Sequence, residues 1–186
     1  VTFGKSHQSC GANSGERSGL HMELLEGKVA LVTGGTSGIG RAAAIELARD
    51  GANVVICGRR EQEGEQTVQL IEQEGVQGLF VKTDVTQPQQ VEALVQQTVT
   101  RFGALDVAFN NAGIDSEIGR IADLTEDDFD RVFTINVKGV WLCMKYQIAQ
   151  MLAQGGGGSI INCGSVQGHI SWGAAGHYTA SNGRLY

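Results

Sequence analysis

Five short segments of this chain are apolar over most of their length, and stretches with helical spacing separate them: Val29–Val32, Asn53–Cys57, Gly78–Lys82, Leu105–Phe109 and Ser159–Cys163. Apolar runs this short, bounded by turn residues, predict strands buried on both faces. Between the first two, apolar residues at 39, 42, 43, 45, 47 and 48 make the inner stripe of a helix that stops at Gly51. Residues 61–74 predict a second helix, with Val68 and Ile71 inward and Gly75 at its end. Pro88 opens a third in its first turn, where a missing N–H costs nothing, and positions 91, 94, 95, 98/99 and 102 follow helical spacing. Thr125-Glu126-Asp127-Asp128 is a capping-box start for a long helix from 126 to about 152, which the glycines 155–158 end.

Buried strands that alternate with helices predict an α/β chain, with a parallel sheet covered on both faces. Right-handed crossovers make it a doubly wound sheet in three α/β/α layers, in the order 3-2-1-4-5. Such sheets bind ligands beyond the carboxyl ends of their strands. The glycine cluster 34–40, Asp84, residues 110–113, Ser165 and Tyr178 fall at such ends or just beyond, whereas Asn136 lies inside the long helix.

Composition narrows the classes. A net charge of −6 spread over 186 residues argues against a nucleic-acid footprint. No run nears the ~18 apolar residues of a membrane span. Cys10, Cys57, Cys143 and Cys163 are too far apart in sequence for a zinc-like spacing, so no metal site is expected. Cys57 and Cys163, in apolar runs, read as small buried hydrophobes. Residues 1–21 lack the apolar core and cleavage site of a signal peptide and read as a disordered or added extension, with Met22 a natural start and 22–186 one domain. With the cysteines, this predicts a reducing, cytoplasmic setting.

A strand that runs into glycines and then into a helix is an anion site: N–H groups at the helix start face the ligand and the helix dipole favours negative charge. Gly34, Gly38 and Gly40 supply the close approach or positive φ that a pyrophosphate needs. The spacing T-G-x3-G-x-G lacks the Gly-Lys-Ser/Thr ending of an ATP-binding loop.

Together, Thr33–Gly40, Asn110–Gly113, Ser165 and Tyr178 resemble the short-chain dehydrogenase/reductase family over about residues 24–181. The resemblance implies a Rossmann fold, NAD(H) or NADP(H), and the interconversion of a small alcohol and a carbonyl by hydride transfer. It places Thr33, Gly34, Thr36, Ser37, Gly38, Ile39, Gly40, Asp84, Val85, Asn110, Ala112, Gly113 and Tyr178 at the cofactor, with Asp84 holding the adenine. It makes Ser165 the donor to the substrate oxygen, Tyr178 the acid or base, and Asn136 the residue that positions a relay water. It also implies a homodimer or homotetramer, with the long helix as one interface and Trp141 and Met144 as interface candidates or core residues. Cys57-Gly58-Arg59-Arg60 carries no acid to accept from a 2′-hydroxyl, so NADP(H) is preferred, with Arg59 the main phosphate contact. Residues 114–120, Gln167, His169, Trp172 and His177 are candidate pocket residues.

Two departures from the family pattern stand out. The family places a lysine one helical turn after the tyrosine, where its ammonium favours the phenolate and binds ribose; this chain has Asn182. Asn182–Tyr186 does not read as the family's continuation, and without that continuation the fifth strand is an apolar sheet edge. A fragment, a sequence error near 182 or a truncated product each gives this ending. The alternative function is a nucleotide-binding protein on the same fold without turnover.

Overall fold

The computed structural model describes residues 24–170 and 174–183; the extension 1–21 and Trp172 lie outside them. Strands β1 (Val29–Thr33), β2 (Asn53–Gly58), β3 (Gly78–Lys82), β4 (Val107–Asn110) and β5 (Ser159–Asn162) form one parallel sheet in the order β3-β2-β1-β4-β5. Helices α1 (Gly38–Arg49), α2 (Glu61–Glu72), α3 (Pro88–Phe102), α4 (Glu126–Phe133), α5 (Val140–Ala153) and α6 (Gly176–Asn182) complete the layers.

The central strand shows why the apolar runs are continuous. Ala30 and Val32 of β1 pack into one cluster with Ala44 and Ala48 of α1 and Val68 and Ile71 of α2. Leu31, between them, packs into the opposite cluster with Leu94 and Val95 of α3 and Met151 of α5. A strand with helices on both faces has no polar side. Each such Leu, Ile or Val contributes ~1.5–3 kcal/mol by burial.

Helix starts differ in a way that bears on the site. The N-cap Thr125 accepts from Asp128 N–H while Asp128 accepts from Thr125, a complete capping box before α4. Ser37, the N-cap of α1, makes no side-chain cap bond, and no acid stands in the first turn of α1.

Two expectations need correction. The helix expected to run unbroken from 126 to 152 contains a π-helical segment, Thr134–Gly139, between α4 and α5. A wide turn of this kind adds a residue and commonly marks a functional position. Here it carries Asn136, and a Cβ on its last residue, Gly139, would stand 3.0 Å from Val85. The fourth strand begins at Val107 rather than Leu105, because the Gln154 side chain takes both backbone groups of Leu105, donating to its oxygen at 2.8 Å and accepting from its N–H at 3.1 Å. Among the described residues β5 pairs with β4 alone, and Ile161 is 51% exposed.

Candidate active site

The carboxyl ends of the strands open into two clefts. The first, about 640 Å³, is walled by Gly34, Thr36, Ser37 and Ile39 of the glycine turn, by Gly58, Arg59 and Arg60 after β2, and by Thr83, Asp84, Val85 and Thr86 after β3. Its far side is Asn111–Ile114 and the α4 end. Backbone geometry demands glycine in the turn: Gly34 has φ +69 and Gly38 φ +55, conformations that strain a side chain.

Long-range hydrogen bonds hold this turn. Thr33 Oγ1 accepts from the N–H groups of Asn111 and Ala112, both at 3.0 Å, and Asn111 Nδ2 donates back to the Thr33 carbonyl at 3.1 Å. From the other side, the Arg60 guanidinium donates to Ser37 Oγ at 2.6 Å and Thr36 Oγ1 at 3.2 Å. Asp84 Oδ1 accepts from Thr86 N–H at 3.0 Å and Thr86 Oγ1–H at 2.8 Å, shaping the turn that leads to α3.

The second cleft, about 420 Å³, continues from the first past Ile39 and Asn111–Ile114. Asp115, Asn136, Val140, Cys163, Gly164, Ser165, Tyr178 and Asn182 complete it. Ser165 Oγ accepts from Gln167 N–H at 3.2 Å, which leaves its own O–H to donate elsewhere. Both ends of the Asn136 amide are taken by the Ile114 backbone, at 2.9 and 3.0 Å. Asn182 is buried, and its amide donates to the Tyr178 carbonyl at 3.0 Å.

The family model described as short chain dehydrogenase matches residues 28–184. The chain belongs to the short-chain dehydrogenase family. Among its relatives in this family is a short chain dehydrogenase/reductase of Aspergillus oryzae, 46% identical over 142 residues, covering 76% of this chain and 54% of that protein. A 3beta-hydroxysteroid dehydrogenase of Mediterraneibacter gnavus is 40% identical over 163 residues, covering 88% of this chain and 58% of that one. The solved structure of an NAD+-bound xylitol dehydrogenase superposes with a TM-score of 0.84 at 34% identity, covering 87% of this chain and 62% of that one. The chain thus spans little more than half the length of these relatives. Its sheet is the Rossmann fold of the family.

Within the short-chain dehydrogenase frame, the residues expected at the cofactor divide into three groups, of which Tyr178, on the second cleft, is one. Gly34, Thr36, Ser37, Ile39, Arg59, Asp84, Val85, Ala112 and Gly113 stand on the wall of the first cleft. Thr33, Gly38, Gly40 and Asn110 do not line either cleft. Thr33 is consumed in the bonds described above. A Cβ on Gly40 would press against the Gly34 carbonyl oxygen, so this glycine packs the helix onto the turn. Asn110 is 1% exposed, with its amide bound to Gln147 and Asn162. The expectation of Asn110 at the cofactor is therefore corrected: its side chain belongs to the sheet interior, where Gln147 and Asn162 bind it.

Other placements differ as well. Cys163 is half-buried on the second cleft, because the chain leaves the sheet at Asn162 and the next residue stands on the cleft wall. Among the further pocket candidates, Ile114 and Asp115 line that cleft, His177 is buried in α6, and His169 is exposed. Neither Lys138 nor Lys145 lines either cleft; the Lys145 ammonium lies over the Trp141 and Tyr146 rings, at 5.7 and 5.1 Å. Asn111 and Arg60 carry bonds of their own that no sequence pattern marks, although each sits beside a residue with a motif signal. Arg41 is likewise unmarked, and its guanidinium donates to the Thr36 carbonyl at 2.6 Å.

Proposed function

We propose that this chain carries the nucleotide-binding and catalytic portion of an alcohol/carbonyl oxidoreductase that uses NADP(H) in preference to NAD(H). One observation carries the reading: Ser165 and Tyr178 share a cleft that adjoins the glycine-turn cleft along Ile39 and the Asn111–Ile114 turn, residues that line both. The residues fit a phosphorylated dinucleotide. The uncapped start of α1 has no acid in its first turn and faces a cleft flanked by Arg59 and Arg60. Gly34, Thr36, Ser37, Ile39, Asp84, Val85, Ala112 and Gly113 would hold the nucleotide, with Asp84 at the adenine. Gly38 and Gly40 shape the turn from behind the wall.

The NADP(H) preference rests on Gly58 and its neighbours. A Cβ on Gly58 would stand 2.7 Å from the Thr36 methyl, so the end of β2 has no room for a carboxylate to receive a 2′-hydroxyl. The Arg60 guanidinium is engaged with Thr36 and Ser37, while Arg59 is exposed on the wall. We assign Arg59 as the main 2′-phosphate contact and Arg60 as the brace of the turn.

The bound nicotinamide would supply or accept the hydride. Ser165 accepts from Gln167 and keeps its O–H to donate to the substrate oxygen as charge grows there. Tyr178 delivers the proton in reduction and takes it in oxidation. Asn136 sets the Ile114 backbone between the clefts and is the member assigned to a water relay. At position 182 a neutral amide stands where an ammonium would favour the phenolate. That observation favours the second reading, nucleotide binding without turnover, for the native sequence.

The substrate is a small alcohol or ketone. Trp141 is 54% exposed, and Ile148 and Leu152 follow it at helical spacing on α5 and are exposed too, which supports pairing of two copies there as a homodimer or homotetramer. Met144 turns inward instead, its sulfur accepting from Asn162. Among the described residues Cys57, Cys143 and Cys163 are free thiols, which supports a reducing, cytoplasmic setting. No helix among the described residues is long and apolar enough to cross a membrane.

The test is NADP(H) and NAD(H) binding, followed by nicotinamide fluorescence, on the native chain beside Asn182→Lys. Binding by both, with carbonyl reduction confined to the lysine variant, is the expected result. Absence of binding by either overturns the oxidoreductase reading.

A further inference from the structure

The buried amide of Gln147 on α5 has no part in the assignments above. It is 1% exposed and faces Asn110 in a reciprocal pair: Gln147 Nε2 donates to Asn110 Oδ1 at 2.8 Å, and Asn110 Nδ2 donates to Gln147 Oε1 at 2.9 Å. The second Asn110 N–H goes to Asn162 Oδ1 at 3.0 Å, and Asn162 Nδ2 donates to the Met144 sulfur at 3.2 Å. Asn110 and Asn162 are themselves register partners at the ends of β4 and β5. The set therefore ties one helix to two strand ends in the sheet interior.

What those strand ends carry gives the network its meaning. Asn111 and Ala112, which follow Asn110, dock on Thr33 and stand between the clefts. Cys163 and Ser165 follow Asn162 on the second cleft, with Cys163 N–H donating to the Asn110 carbonyl at 2.9 Å. Asn136 lies upstream of Gln147 on the same helical rod, in the π segment. The β5 end meets β4 through the Cys163 N–H bond to the Asn110 carbonyl and through the Asn110–Asn162 side-chain bond. Inside a low-dielectric core the two facing amides bond reciprocally, and the further Asn110 bond to Asn162 selects one orientation, so the set fixes distance and rotation together.

We infer that Gln147 is a positioning residue: through Asn110 and Asn162 it holds the Ser165 turn at a set distance from the Asn111–Ile114 turn. This rests on the oxidoreductase reading only in taking Ser165 as the group to be placed. An aliphatic side chain at 147 would pack as well but would leave the Asn110 oxygen without its donor.

Cys163 is a native reporter of that placement. Cys57 and Cys143 are buried, which shields them and pushes the Cys57 thiol up to about 12 and the Cys143 thiol up as well, whereas Cys163 stands on the wall of the second cleft. Residue-resolved alkylation of Cys163 by iodoacetamide is followed in the native chain, Gln147→Met, Asn162→Ala and Ile71→Ala. Ile71 is fully buried in the cluster on the opposite face of the sheet, so its variant controls for general loss of stability. All are read well below their unfolding midpoints, without nucleotide and with NADPH.

In Gln147→Met and Asn162→Ala, Cys163 is expected to react about 10-fold faster than in the native chain, as a local opening of the β5 end would produce. Ile71→Ala is expected to leave it within about 2-fold, because distant sites add independently. NADPH affinity in the first two variants stays near native, since the glycine turn is held by separate bonds. Equal Cys163 rates in native, Gln147→Met and Asn162→Ala overturn the inference, as does an equal rise in Ile71→Ala. If Gln147→Met does not fold, Asn162→Ala against Ile71→Ala decides alone. If the native chain binds no nucleotide, the oxidoreductase reading fails while the comparison of Cys163 rates still judges Gln147.

Discussion

The two clefts sit on one sheet but are held in opposite ways. Around the first, β1 is buried at every residue and the turns after β1, β2 and β4 are cross-linked by Thr33, Asn111 and Arg60. Around the second, β5 alternates between exposed and half-buried residues. The buried side-chain polar atoms without a partner, among the described residues, are Ser116 Oγ, Gln167 Oε1, both ring nitrogens of His177, and Thr179 Oγ1. All lie on α6 or on loops beside the second cleft. An unpaired buried polar group costs ~1–3 kcal/mol. The glycine turn is thus tied to its neighbours by several mutually supporting long-range bonds, whereas the Ser165 turn rests on fewer bonds at the end of β5.

Breaking the first region should have the largest effect. Gly40→Val puts a branched side chain against the Gly34 carbonyl and the Asn111 amide. Overpacking of ~1–3 kcal/mol at the turn itself should weaken nucleotide binding by roughly 100-fold, measured by nicotinamide fluorescence titration. A Gly40→Val chain that binds as the native one does would show that the turn is not rigid.

Changing the second region should act on turnover and spare binding. Asn182→Lys should raise carbonyl reduction by about 100-fold, the scale of general acid–base assistance, with nucleotide affinity nearly constant. Initial rates across pH read it; equal rates in both chains would remove position 182 from the chemistry.

The arginines sharpen the comparison within the first cleft. Arg59→Ala should lower NADPH affinity about 10-fold, the loss of one charged hydrogen bond, and leave NADH unchanged. Arg60→Ala should weaken both nucleotides alike, because it removes the brace on Ser37 and Thr36. Paired titrations separate the two, and a selective loss in Arg60→Ala would exchange the roles.

The smallest effect belongs to α4, which borders both regions. Thr125→Ala removes an N-cap and should lower stability by ~0.5–2 kcal/mol, read by thermal unfolding at neutral pH. The Thr125 hydroxyl, ahead of the Thr125 backbone N–H and the nearby Arg131, holds the Asp128 carboxyl below the usual aspartate range. A carboxyl depressed in the folded state contributes stability above its unfolded value near ~3.9 and loses it as pH falls through the lower folded value. The difference between Thr125→Ala and the native chain should therefore shrink below about pH 4. A constant gap across that range would mean that the cap acts without the Asp128 charge.

Much of this molecule is written locally. The wholly apolar strands, the glycine stops and the capping box at Thr125 each follow from periodicity or turn chemistry over a few residues, and together they determine the doubly wound order. The glycine turn is equally local, because positive φ at Gly34 and Gly38 is a property of the backbone there. Tertiary structure decided the rest. It turned Asn110 inward to Gln147 and Asn162, distant in sequence, and made Asn111 the residue between the clefts. It inserted the π turn at Asn136, and it set Cys163 on the wall of the second cleft. None of these has a local signature: an amide reads the same in sequence whether it meets a ligand or another amide, and only packing supplies the partner.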